Sequence, residues 1–495
     1  MKIKLQLLMF CLYLTSLLCH SQQRQDFTPN FTVSKQTTHK ISEDQDFTFG
    51  YMEVLENRTD PESKTIKFPV YIFKSRNPNP QPDPIIYTVG GPGRSTMSSA
   101  QYMKYYRYLD DRDVILVEQR GTYYAEPHLA CPEWDEALSK SSLKEYRNLN
   151  SKPLFADAAR KCRQRFSNKN IDLNGYNTKE IAADINELTE VLNIDQYNLL
   201  TISYSTKIAQ VLLRDYPNRI RSVVMDSPLP LEVSYDEESV TNLLAVATKI
   251  LEDCERDENC NFKFPNLKSR FFKLLRDYTK TPLEVIVKNP TNGSDEVFYL
   301  KGSDLINIIS LSSTESVPFI PSEIDKILNG DLGTIKNYLQ SLFNEAGDGA
   351  GQGMRLSVWC SEEYPFTSEE VIQTETNRYP EVKGLSPVVF DAEICEIWGV
   401  APAKAIENKA ITSEIPVLFI SGEYDENTPV KWAANMLPNF KNGVHVIFKG
   451  WKHTPTTYWS NPCGMEVANT FFNNPNEQPE PKCFKQIKTP KFKTQ

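Results

Sequence analysis

Apolar, β-branched runs that stop at polar turns occupy residues 49 to 228 and return from residue 414. They are FGYMEVL, TIKFPVYIF, IIYTV, DVILVEQRG, YNLLTI, RSVVMDSP, EIPVLFISGEYD and GVHVIFKGWKHT. Runs of this length between turn residues predict strands. YNLLTI leads into TKIAQVLLRDYP, whose apolar spacing predicts a helix. Strands with helices between them predict a mostly parallel sheet covered on both faces. From about residue 231 the period becomes helical. SYDEESVTNLLAVATKILEDCERD, FPNLKSRFFKLLRDY, KGSDLINIISL and SEIDKILNGDLGTIKNYLQSLF all predict helices. Ser234 and Glu237 have the spacing of a capping box. Few strand-like runs interrupt this block before about residue 404. The expectation is an α/β unit, residues 44–230 and 405–495, interrupted by a mainly helical insertion, residues 231–404. Residues 22–45 read as polar and extended. The last twenty or so residues, beginning PNEQPEPKCFK, read as a surface tail held in part by Cys483.

The N-terminal segment changes where the protein is expected to work. Lys2 and Lys4 precede an apolar run from Leu7 to Leu18, and polar residues follow. This is the layout of a cleaved secretory signal, residues 1–21, with cleavage expected after Ser21. No later run is long enough to span a bilayer, so no stable membrane insertion is expected. A secreted or periplasmic protein meets oxidising conditions. Of ten cysteines, Cys11 and Cys19 leave with the signal. The remaining eight are Cys131, Cys162, Cys254, Cys260, Cys360, Cys395, Cys463 and Cys483. An even number in an exported chain suggests disulfides, and pairing of nearest neighbours is the simplest arrangement. Their spacing is not that of a metal site. The net charge of −9 does not suggest a nucleic-acid partner. The expectation is no metal and no organic cofactor. The oligomeric state is left open.

Three polar residues stand where strands end. Ser203 lies between YNLLTI and its helix, Asp425 closes PVLFISGEYD, and His453 follows VHVIFKGWK. Each has an ordinary reading: a structural serine turn, a turn or capping aspartate, a loop histidine. Together, in the order Ser, Asp, His on a strand–helix scaffold, they match a nucleophile, an orienting acid and a general base. Ser203 Oγ is then expected within hydrogen-bond reach of His453. Ser205 is a poorer nucleophile because one of its flanks is the large Lys207. His445 lies within a predicted strand, and His128 comes too early for this order. TVGGPGRS supplies Gly90, Gly91 and Gly93, a backbone path able to aim amides at a developing oxyanion. The backbone N–H groups of Gly91 and Tyr204 are the candidate oxyanion hole.

These motifs resemble the secreted prolyl aminopeptidase and tripeptidyl aminopeptidase branch of the α/β-hydrolases, from about residue 48 to 485. GGPG at 90–93 is similar to the family's oxyanion loop. EQRG at 118–121 is similar to DQRG, and ISYST to G-x-S-Y-G. MDSPLP, CERDENCNFKFPNL, SVWCSEE, CEIW, GEYDENTP and GWKHT resemble its later segments. The resemblance implies an α/β-hydrolase core with a helical cap, and attack on a peptide carbonyl near a free N terminus through an acyl-enzyme. It implies catalytic roles for Ser203, Asp425 and His453 and a small peptide as substrate. Recognition of the substrate ammonium calls for carboxylates, and Glu362 and Glu363 in WCSEEYPF are the candidates; alternatively they are solvent-facing charges. Arg120 is expected to brace the fold. Thr201, Ser205 and Lys452 stand where the family has glycine. Lys452 is expected either to disfavour the imidazolium of His453 or to reach solvent. An esterase or amidase on the same triad, or a silent peptide-binding protein, are the alternatives.

Overall fold

The computed structural model describes residues 27–141, 152–290, 292–310, 312–341, 350–382 and 390–494. The expected signal, residues 1–21, lies outside them. Eleven strands are described: β1 (Asn30–Val33), β2 (Phe47–Leu55), β3 (Thr65–Phe73), β4 (Ile85–Thr88), β5 (Val114–Val117), β6 (Tyr197–Ile202), β7 (Ile220–Asp226), β8 (Leu283–Lys288), β9 (Asp295–Leu300), β10 (Val417–Gly422) and β11 (Gly443–Phe448). Nine form one sheet in the order β1-β2-β3-β5-β4-β6-β7-β10-β11. β1, β2, β3 and β5 join antiparallel; β5, β4, β6, β7, β10 and β11 run parallel. Every residue of β4, β5, β6 and β10 is buried. That explains their continuous apolar runs, because helices cover both faces.

The helices named below are α1 (Thr178–Val191), α2 (Ser205–Asp215), α3 (Tyr235–Arg256), α4 (Gln352–Val358), α5 (Glu369–Asn377), α6 (Ala392–Trp398) and α7 (Cys463–Asn473). Side chains alternate across the sheet. Leu199, Val223 and Phe419 join Ile185 of α1 and Ile208 and Leu212 of α2 in one core. Leu200, Val224 and Leu418 join Val467 and Phe471 of α7 in the other. Each fully buried Leu or Val stabilises the fold by about 1.5–3 kcal/mol. Arg120 is buried and bonds Asp184, Glu56 O and Gly175 O, so it braces the fold as expected. The chain leaves β4 for β5 on one side and returns to β6 on the other. This reversal opens a crevice beyond the carboxyl ends of β4 and β6, where ligands of open α/β sheets bind.

The segment between β7 and β10 is mainly helical and has its own apolar core, which includes Val240, Leu251, Phe271 and Ile324. Four details depart from the sequence reading. The antiparallel pair β8–β9 lies in this segment: LEVIVK alternates buried and exposed positions, and Asn289 N donates to Ser294 O at 2.8 Å where the chain turns back. NFTV, within the stretch read as merely extended, pairs with β2 as strand β1. The C-terminal tail is no free surface segment: Phe492 is buried in the insertion's core and Lys493 N donates to Pro318 O at 2.8 Å. The Ser234–Glu237 capping box does not form either. Ser234 turns to Thr367 and Glu237 accepts from Ser368 N at 2.6 Å, so both side chains tie α3 to the segment before α5. Four disulfides form, all between nearest neighbours: Cys131–Cys162, Cys254–Cys260, Cys360–Cys395 and Cys463–Cys483.

Candidate active site

β6 passes into α2 through two residues, Ser203 and Tyr204, and Ser203 is held at φ +57°. For a non-glycine residue this left-handed conformation costs about 1–2 kcal/mol. Neighbouring bonds hold it. Ser203 N donates to Asp226 O at 2.9 Å, and Ser203 O accepts from Thr206 Oγ1 at 2.6 Å. The two missing glycines now have an account. Ser205 Oγ accepts from Ile202 N at 2.7 Å and lies 2.8 Å from Thr88 O, so its hydroxyl ties the turn to β4. Thr201 Oγ1 donates to Val224 O of the next strand at 3.2 Å. The room that such a turn needs is provided from the facing loop. A Cβ on Gly90 would lie 2.7 Å from Ser203 Cβ and 2.6 Å from Ile202 O.

Asp425, just past β10, is buried. Its Oδ1 accepts from Asn427 N and Thr428 N at 2.9 and 3.0 Å; its Oδ2 accepts from Thr428 Oγ1 at 2.7 Å. The same Oδ2 lies 2.7 Å from His453 Nδ1. The aspartate thus closes a turn and orients the ring together. Its burial favours the neutral acid, but His453 and the Thr428 bonds outweigh that and hold the carboxyl below its ordinary value. Burial likewise opposes charge on His453, and Asp425, with Asp226 and Glu426 beyond it, reverses the balance and raises the imidazole above its ordinary value. A proton on Nδ1 facing Asp425 leaves Nε2 as the acceptor. Ser203 and His453 line one cavity, yet the expected hydrogen bond between them is not formed among the described residues. Catalytic pairs of this kind are often long at rest and tighten when substrate docks.

The histidine loop rests on residues that the sequence reading passed over. Asp226, at the end of β7, accepts from Thr456 N at 2.8 Å and from Thr456 Oγ1; Ser227 Oγ accepts from Thr454 N at 2.8 Å. Burial pushes the Asp226 carboxyl up to about 6. Gly422 lets the acid strand approach this loop, since a Cβ there would lie 2.0 Å from Lys452 O. Lys452 neither disturbs the imidazole nor reaches solvent. It is buried, and its Nζ donates to Glu426 Oε2 at 2.6 Å and to Ile309 O at 2.7 Å. His445, the rival base, is instead bonded to Ser421 Oγ, and burial drops its imidazole to about 4.

In the loop after β4, Gly91 and Gly93 take φ +122° and +96°, which a side chain would strain. Buried Glu118 anchors the segment behind it, accepting from Thr96 N at 2.8 Å and Ser95 Oγ at 2.9 Å. The amides of Gly91 and Tyr204 have no acceptor among the described residues. They remain free to donate beside Ser203. Glu362 does not line the cavity: it accepts from Thr178 N at 2.6 Å, and Thr178 Oγ1 lies 2.7 Å from Tyr204 Oη. This carboxylate props the residue after Ser203, and burial raises it to about 7. Glu363 does line the cavity, but Lys207 forms a buried ion pair with it. Both glutamates are buried, against the reading of solvent-facing charge: Glu362 turns to Thr178 of α1 and Glu363 to Lys207 of α2.

Comparisons with known proteins bear on the fold. Residues 83–300 match the model described as alpha/beta hydrolase fold, and residues 386–483 match that described as TAP-like protein. The chain has an α/β-hydrolase fold with a TAP-like region toward its C terminus. It is 22% identical over 402 residues to Serine protease Hip1 of Mycobacterium tuberculosis and of Mycobacterium bovis, covering 75% of each chain. Among solved structures, an esterase from Exiguobacterium antarcticum superimposes with a TM-score of 0.38 at 12% identity, over 85% of this chain and 98% of the esterase. The fold assignment rests on the family models and on this chain's own sheet order.

The cavity of this hydrolase holds about 1580 Å³. One side is formed by the loop after β4, Ser203 and His453; the other by α4, α5 and the start of α6. Glu369 and Glu370 of α5 line it, are exposed, and have no ion-pair partner among the described residues. They belong to SEEYPFTSEE, where the pair of glutamates recurs a few residues later. That repeat was the sequence signal for them. Among the described residues no cluster could hold a metal ion, and no helix is long and apolar enough to cross a membrane.

Proposed function

We propose that this serine hydrolase is an exopeptidase that cleaves short peptides near a free N terminus. The observation that carries the reading is the Asp425–His453 pair beside a left-handed Ser203 in a cavity that Glu369 and Glu370 also line. Ser203 Oγ attacks the scissile carbonyl while His453 Nε2 takes its proton. The Gly91 and Tyr204 amides receive the oxyanion. His453 then protonates the departing amine, and water releases the acyl group from Ser203 by the reverse proton path. Asp425 holds the ring and stabilises its charged form. Residues 231–404 act as a cap that limits the substrate's length. Glu369 and Glu370, rather than Glu362 and Glu363, meet the substrate's ammonium. Four disulfides suit work in a secreted or periplasmic setting.

The unformed Ser203–His453 bond favours one second reading, a silent peptide-binding protein. Labelling of the disulfide-intact protein with a fluorophosphonate, followed by peptide mapping, separates the two. A stoichiometric adduct on Ser203, lost in Ser203→Ala, is expected. Folded protein that takes no label would overturn the hydrolase mechanism and leave peptide binding.

A further inference from the structure

Most interior cations of this molecule are matched by carboxylates. Arg58 pairs with Glu180, Asp184 and Glu187; Arg112 with Asp83; Lys207 with Glu363; Lys452 with Glu426. Arg355 is different. It lies on α4, lines the cavity, and has no ion pair among the described residues. Its Nε is enclosed without a hydrogen-bond partner. Its guanidinium lies 5.5 Å from the ring centre of Trp359, a cation–π contact that fixes the plane without supplying an acceptor. Trp359 in turn donates to Asp236 at 3.1 Å.

A second cation shares the cavity. Arg94 follows the GGPG loop directly, is exposed, and also lacks an ion pair among the described residues. The two are held in register by a backbone stitch, Gly351 N to Gly93 O at 2.8 Å, one helical turn before Arg355. A Cβ on Gly93 would come within 3.6 Å of Arg355 Cβ, so the guanidinium springs from beside the candidate oxyanion loop. Burial holds Arg355 below its ordinary value and Arg94 adds to that by repulsion, while Tyr235 and Asp236 oppose it only in part. Two like charges in a partly closed space are costly until an anion joins them.

We propose that Arg355 and Arg94 form a subsite for a carboxylate of the peptide substrate. The planar fork of an arginine takes a carboxylate through two parallel hydrogen bonds, and the Trp359 ring presents that fork ready-made. The proposal rests on the exopeptidase reading for the peptide nature of the ligand, not for catalysis. With Glu369 and Glu370 on α5, the cavity then offers both signs that a short zwitterionic peptide carries. The carboxylate comes either from the peptide's C terminus or from an acidic side chain.

Calorimetric binding to the Ser203→Ala protein tests this without requiring turnover. The ligands are Ala-Ala-Ala as free acid, the same peptide as C-terminal amide, and Ala-Asp-Ala amide. A carboxylate-bearing peptide is expected to bind about tenfold or more tightly than the neutral amide. Preference for the free acid assigns the subsite to the C terminus; preference for Ala-Asp-Ala amide assigns it to a side chain. The advantage is expected to fall to about twofold or less in Arg355→Gln, and to shrink in Arg94→Gln. Should Arg355→Gln fail to fold, Arg355→Lys, which keeps the charge but not the fork, and the exposed Arg94→Gln decide. Absence of any carboxylate advantage, or an advantage unchanged in these variants, overturns the proposal. Ser203 labelling is scored separately, so a dead nucleophile and a missing anion subsite give different results.

Discussion

On the sheet side of the cavity, Asp425 commits both oxygens to Thr428, Asn427 and His453, and Lys452 is neutralised by Glu426. On the facing side, Arg355, Glu369 and Glu370 project into the same space with no ion-pair partner among the described residues. The first side comes from strand ends and short loops, where a misplacement of about 1 Å costs about a hundredfold in rate. The second comes from α4 and α5, whose polar groups meet a ligand that brings its own hydrogen bonds. Groups meant to hold a geometry are satisfied internally; groups meant to recognise are left for the visitor to satisfy.

Substitutions on the two sides should therefore fail differently. The largest loss of stability is expected for Lys452→Met, which leaves the buried Glu426 carboxylate unpaired and costs about 3–5 kcal/mol in denaturant unfolding at pH 8. A double variant that also carries Glu426→Gln should regain most of it. Lys452→Gly, which restores the glycine of the family motif, should be no better than Lys452→Met. A smaller loss, about 1–2 kcal/mol, is expected for Ser205→Gly, because the bonds to Ile202 N and Thr88 O disappear. The rate of fluorophosphonate labelling should fall with it; a faster rate would show that the elbow wanted glycine after all. Least disturbed should be Glu369→Gln with Glu370→Gln. Stability should change by about 0.5 kcal/mol or less, while KM rises for peptides with a free N terminus and not for their N-acetylated forms. A KM that moves equally for both would place ammonium recognition elsewhere and blur the distinction between the two sides.

The strands that carry Ser203, Asp425 and His453 were legible because strands buried on both faces must be apolar along their whole length. The cysteine pairs were legible because each closes a local loop. What escaped was set by partners distant in sequence. Glu363 looked exposed until Lys207, 156 positions away, was brought beside it. Asp226 went unremarked because its bond to Thr456 spans 230 positions. Lys452 next to a histidine suggested electrostatic interference, and nothing nearby in the chain announced that Glu426 would neutralise it. Residue types showed which chemistry was present; charge pairing decided which groups were free to perform it.

The burial of Phe492 among residues of the helical insertion has a bearing on the order in which the molecule can be completed. A ribosome makes the insertion long before it makes residue 492, and β10 and β11 also come after the insertion they flank. Until those last segments emerge, the sheet lacks two strands and the insertion's core lacks a ring. Neither half can finish alone, so the nascent chain stays unlocked through most of its synthesis. In the exported protein proposed above, late locking would keep the chain slack while it threads a narrow pore.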